Sequence, residues 1–74
     1  MKDQELARRV GEHIRELRKE SGLSQEDFAD HCGLHRTFMG SVERGEKAIT
    51  VESARKIAIG LGIKLSELFA GIGE

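Results

Sequence analysis

Apolar side chains in this chain recur at intervals of three and four, and no stretch alternates as a strand would. Leu6, Ala7, Val10, Ile14 and Leu17 mark the inner face of a helix over about residues 3–20. Its other face is charged and solvated. There Glu12 and Glu16 stand at helical spacing from Arg8, Arg9, Arg15 and Lys19, and Gly22 supplies a left-handed stop. Ser24 then caps a second helix, with Asp27 three residues on and Leu23 placed to staple onto Phe28. Phe28, Ala29 and Cys32 face inward until Gly33 ends it. Only Leu34 and His35 separate this from a third pattern, Phe38, Met39 and Val42, which runs to Gly45. Two helices joined by so short a glycine turn must cross steeply, as in a helix-turn-helix. Thr50 caps a fourth helix with inner stripe Ala54, Ile57, Ala58 and Leu61, closed by Gly62. A fifth, over about residues 65–70, carries Leu65, Leu68 and Phe69, although Lys64 is a poor residue to start it. The pattern predicts an all-α domain.

Composition narrows what such a domain does. The chain has 74 residues, 38% of them apolar and 34% charged, a balance that folds rather than stays disordered. One small domain over residues 1–74 is expected. MKDQELARRV has no signal-peptide core, and the longest apolar run, Ile57 to Ile63, is broken by Gly60 and Gly62. No membrane partner is therefore expected. A single cysteine, Cys32, fits a reducing cytoplasm. A net charge of −1 gives no bulk attraction to nucleic acid, so any such binding must come from how the charges are arranged.

The third helix poses the sharpest question. In HRTFMGSVERG it carries Gly40 and Ser41 mid-run, although glycine in a helix interior costs about 1 kcal/mol relative to alanine. Stability alone did not choose these residues. With Phe38, Met39 and Val42 turned inward, the outward face displays Arg36, Thr37, Gly40, Ser41 and Arg44.

The stretch LSQEDFADHCGLHRTFMGSVERGE resembles the helix-turn-helix of the phage Cro and repressor (XRE-type) family of DNA-binding regulators. Gln25 opens helix 2, Ala29 takes the small position, Gly33 the turn, and Met39 and Val42 the inward positions of the recognition helix. LGIKLSELF is similar to the family's fifth-helix segment. Within that family, HRTFMGSVERGEKAITVES resembles the controller proteins of restriction–modification systems, which carry an Arg-Thr-aromatic triplet. Here Phe38, Gly40 and Ala48 stand where those proteins commonly have Tyr, Ser and Asn, so no operator sequence transfers. The resemblance implies a compact five-helix lambda-repressor-like fold with the helix-turn-helix at helices 2 and 3.

A recognition helix turns its N-terminal residues toward base edges in the major groove. Arg36 is the candidate for bidentate guanine readout, against a surface pairing with Glu43 or another acid. Thr37 and Ser41 are further base-contact candidates, against plain capping and a solvated surface. Gln25, at the dipole end of helix 2, is implied by the resemblance to clamp a phosphate. Arg44 and Lys47 are placed to reach phosphates. His35 either caps helix 3 or touches phosphate. Gly40 leaves room for backbone or phosphate to approach. Glu43 is read as structural, either orienting Arg36 or Arg44 or accepting loop N–H groups, and the arginines of helix 1 as mostly solvated.

A homodimer on a palindromic DNA operator is expected, because one such helix reads too few bases and two half-sites ~34 Å apart double the readout. The dimer surface is expected in the C-terminal part, from Ile59, Leu61, Ile63, Leu68, Phe69 and Ile72, where apolar residues exceed what a small core hides. Two other classes fit the sequence less well. An enzyme or zinc site at His31, Cys32 and His35 lacks a fourth ligand and puts its thiol on an inward face. An antitoxin would need room for a toxin-binding arm. No catalytic residue, metal, cofactor or small-molecule effector is expected.

Overall fold

The computed structural model describes residues 3–70 and residue 72; the two ends of the expected domain, residues 1–2 and 73–74, lie outside it. Five helices follow one another, α1 (Asp3–Glu20), α2 (Gln25–Cys32), α3 (Arg36–Glu43), α4 (Val51–Leu61) and α5 (Leu65–Leu68). There is no strand among the described residues.

The helix starts are set by side chains. Ser24 Oγ accepts from the Asp27 N–H at 3.1 Å and Thr50 Oγ1 from the Ser53 N–H at 3.0 Å, each contributing about 1 kcal/mol. At α3 the cap is His35, whose Nδ1 accepts from the Thr37 N–H at 3.1 Å. Lys64 serves as the N-cap of α5, because Glu67 reaches back to accept from the Lys64 N–H at 2.8 Å. Between α2 and α3, Gly33 lies at φ 73°, and its left-handed turn lets Leu34 N–H bond back to Ala29.

The core gathers one residue or more from every helix: Ile14, Phe28, Met39, Val42, Ile57 and Leu68 are fully buried. α1 packs on α3, α3 on α2, α2 on α4, and α4 on α5. Two crossings are close enough to require glycine. A side chain at Gly11 of α1 would run into the carbonyl oxygen of Val42 and come within 2.8 Å of that of Glu43. One at Gly60 of α4 would sit 2.5 Å from Cys32 Sγ. Burial there pushes the Cys32 thiol up to about 11, so it stays protonated and unreactive at neutral pH.

Some expectations need correction. Leu6 leaves the inner stripe and stands 36% exposed, at the mouth of a shallow apolar groove of about 360 Å³ formed with Val10, Ala48, Ile49 and Phe69. Leu68 and Ile72 are buried in this chain's own core, and Leu61 and Ile63 pack against it, so only Ile59 (63% exposed) and Phe69 (40%) of the expected dimer residues are open. A single-turn α5 has one inward position, and Leu68 occupies it.

Gly11→Ala separates the consequences of propensity and packing. Helix propensity alone would stabilise α1 by about 1 kcal/mol, whereas pushing α1 off the α3 carbonyls destabilises by about 1–3 kcal/mol. A lowered midpoint in urea denaturation is the expected outcome.

Candidate nucleic-acid interface

The buried half of α3 holds its exposed half in place. Met39 and Val42 are 0% and 1% exposed, while Arg36, Thr37 and Arg44 face solvent and Ser41 is half-buried. Gln25 and Glu26 of α2 border the same edge. Together with Arg36, Thr37, Gly40 and Arg44 they line one open groove. Of the expected base contacts Arg36 and Thr37, and of the expected phosphate contacts Gln25 and Arg44, thus line one groove made by the start of α2 and one side of α3, whereas Ser41 and His35 are not among its lining residues. Lys47 is exposed beyond the end of α3, at the rim of the apolar groove.

Gly40 has a different role from the one its sequence suggests. It is buried, and a side chain there would approach Gln25 Oε1 and Arg44 Nη1 at 3.1 Å each. The missing side chain therefore gives space to two neighbouring polar groups, which lie across the helix surface toward the groove.

Beneath the groove lies a polar cluster that sequence reasoning missed. Glu43, 5% exposed, is paired with neither Arg36 nor Arg44. Its carboxylate takes Arg18 Nε at 2.8 Å and Nη2 at 3.0 Å, and Gln25 Nε2 at 3.1 Å. Arg18 also donates Nη1 to the Leu23 carbonyl at 3.0 Å. Arg18 is thus the one arginine of α1 that turns inward, with its side chain 11% exposed. The separation of 25 residues between the partners hid the pair; the only local signal was an acid immediately after an inward-facing Val42.

The two arginines of the groove are each met by a carboxylate. Arg36 Nη1 lies 3.2 Å from Glu26, and Arg44 holds Glu46 at 2.9 and 3.1 Å. The second contact keeps the Glu46 carboxyl below the ordinary carboxylate range, through its hydrogen bond from Arg44. The backbone N–H groups of Gln25 and Glu26 have no intrachain partner among the described residues, because Ser24 takes up those of Asp27 and Phe28. Two outward N–H groups at a helix start favour an anion.

His31, Cys32 and His35 do not converge. Cys32 is buried while both histidines are exposed, and among the described residues no group of three or more His, Cys, Asp or Glu is placed to hold a metal ion. No helix among them is long and apolar enough to cross a membrane.

This architecture is that of a helix-turn-helix domain, and residues 14–68 match the family described as Helix-turn-helix. The chain belongs to that family. Its relatives include control protein C.MunI of a Mycoplasma species, 46% identical over 65 residues that cover 86% of this chain and 88% of that protein. Control protein C.BamHI of Bacillus amyloliquefaciens is 36% identical over 67 residues, covering 86% and 83%. Among solved structures, the restriction–modification controller protein C.AhdI from Aeromonas hydrophila superimposes with a TM-score of 0.88 at 38% identity, over 93% of this chain and all (100%) of that one.

The Arg18–Glu43 pair makes a measurable demand. Removing either partner strands a charge with little water around it, which destabilises by about 3–5 kcal/mol. Arg18→Leu and Glu43→Leu should each show losses of that order in urea denaturation. The double variant should lose much less than their sum, and additive losses would mean the two groups are not coupled.

Proposed function

We propose that this chain is a sequence-specific DNA-binding transcriptional regulator of a restriction–modification operon, acting in the cytoplasm as a homodimer on a palindromic operator. The observation that carries the reading is the rigid polar edge of α3, with Arg36, Thr37 and Ser41 on the outward side of a helix whose other side is the core. Restriction–modification control proteins recur among its relatives, and that recurrence supports the operon assignment.

In the proposed complex α3 enters the major groove and Arg36 offers its planar fork to guanine N7 and O6. Thr37 and Ser41 meet neighbouring base edges. The N–H groups at the start of α2, with the Gln25 amide above them, receive a phosphate of the adjoining backbone. Arg44 and Lys47 reach phosphates on the other side, and the ring of His35, fixed by its capping bond, turns Nε2 outward toward the backbone. Buried Glu43 does not oppose this, because Arg18 neutralises it.

The dimer rests on apolar surface that one copy leaves uncovered. Ile59 and Phe69 are exposed, as are Leu65 at 37% and Val51 at 78%, two residues not among those expected at the dimer surface. A second copy covering this α4–α5 side would hold two recognition helices in fixed relation, which one domain with a short readout helix requires.

Selection of bound duplexes from a random pool, followed by affinity measurement, tests the reading. Arg36→Ala should lose the preference for the selected duplex while binding unrelated duplexes almost as before; a uniform loss would make Arg36 a phosphate contact. Lys47→Ala should lower the slope of log affinity against log salt by about one unit. Sedimentation at tens of micromolar should show the dimer, and Phe69→Glu should shift it to monomer. A wild-type monomer at that concentration would refute the dimer.

A further inference from the structure

Glu26 is an acid in a place where a DNA-facing surface has no evident use for one. It lines the same groove as Arg36, Thr37 and Arg44, its side chain is 63% exposed, and it sits beside the outward N–H groups that begin α2. Its carboxylate Oε2 meets Arg36 at Nη1 alone, 3.2 Å away. Among the described residues the Nε–Nη2 edge of that guanidinium has no protein partner. An arginine has five donors in a fixed fork, so one edge can hold a carboxylate while the other addresses a base.

We propose that Glu26 is a specificity-determining residue, which holds Arg36 by one edge, leaves the other edge for guanine, and disfavours binding wherever Arg36 is drawn to a phosphate instead. The inference rests on the reading of the chain as a sequence-specific DNA binder. On a matching site Arg36 contacts guanine through Nε and Nη2 and keeps Glu26 on Nη1, so the carboxylate stays neutralised beside the polyanion. On a non-matching site no guanine meets the open edge. Arg36 then either remains on Glu26 and contributes no contact, or swings to a phosphate and leaves Glu26 unpaired beside DNA. Both outcomes weaken the non-specific mode alone, which is how a repulsive element raises selectivity without adding affinity for the right partner.

Arg44, also in the groove, and its partner Glu46 do not share this property. Their contact is bidentate, using Nε and Nη2 of Arg44, so the carboxylate occupies the edge that a base would need. That difference makes Arg36 the reader and Arg44 a backbone contact.

The test uses the full chain, the duplex selected from the random pool, and a shuffled duplex of equal length and base composition, with affinities read by fluorescence anisotropy at one salt concentration. Glu26→Gln should tighten binding to the shuffled duplex about two- to fivefold, the scale of an exposed ion pair. Its affinity for the selected duplex should change less, so the ratio of the two falls. Glu16→Gln removes the same charge from an exposed position on α1 and should leave the ratio unchanged. Equal tightening on both duplexes, weakening on the selected duplex alone, or no change on either overturns the proposal. Thermal denaturation of Glu26→Gln should match wild type, as expected for so exposed a side chain. If the wild-type chain binds both duplexes equally, the regulator reading itself fails, and that result is visible before any variant is compared.

Discussion

The three-way contact of Arg18, Glu43 and Gln25 ties the helix-turn-helix together. It joins the C-terminal part of α1, the loop before α2 through the Leu23 carbonyl, the first residue of α2 and the last residue of α3. Apolar packing is non-directional, so Met39 and Val42 fix which side of α3 is inward but do little to fix its rotation or slide. A carboxylate gripped by both Nε and Nη2 of one arginine has a far narrower geometry. The position of Gln25, and through it the surface above Gly40, follows from that grip.

The pair is internal to a domain whose job is to meet a polyanion. An acid at the end of the recognition helix would ordinarily repel phosphate, and burial against Arg18 removes the objection. The charge pattern of the exposed edge follows similar logic. Arg36 and Arg44 are each matched by an acid, so the edge carries little net charge in the free protein. Such a surface favours DNA only when the arginines find partners better than the carboxylates they already have, and the near-neutral total charge of the chain reflects the same economy. In the proposed reading, recognition depends on geometry more than on bulk attraction, and the start of α3, capped by His35, supplies that geometry.

Helix existence, order and inner faces were legible along the chain because each depends on local spacing. The caps at Ser24 and Thr50, the stop at Gly33, and Ala54, Ile57 and Ala58 as the inner stripe of α4 could all be read within a few residues of themselves. The outward display of Arg36 and Thr37 followed from the same periodicity. Much less legible were contacts between helices. Gly11 and Gly60 look like breaks in good helices until α3 and α2 are seen to press on them. Gly40 invites the reading that something approaches from outside, whereas Gln25 and Arg44 already lie over it. Arg18 is indistinguishable in sequence from the solvated arginines around it, and Glu43 has nearer cations in Arg36, Arg44 and Lys47, none of which is its partner.

Periodicity and capping, which act over one or two turns, were enough to specify an all-helical domain, the two helices of the helix-turn-helix and which side of the second faces outward. Packing between helices settled which charges are internal, which glycines mark helix contacts, and which C-terminal apolar residues remain exposed. Those outcomes depend on distances between segments far apart in the chain. No local pattern encodes that Leu68 points into the core while Phe69 beside it is left 40% exposed.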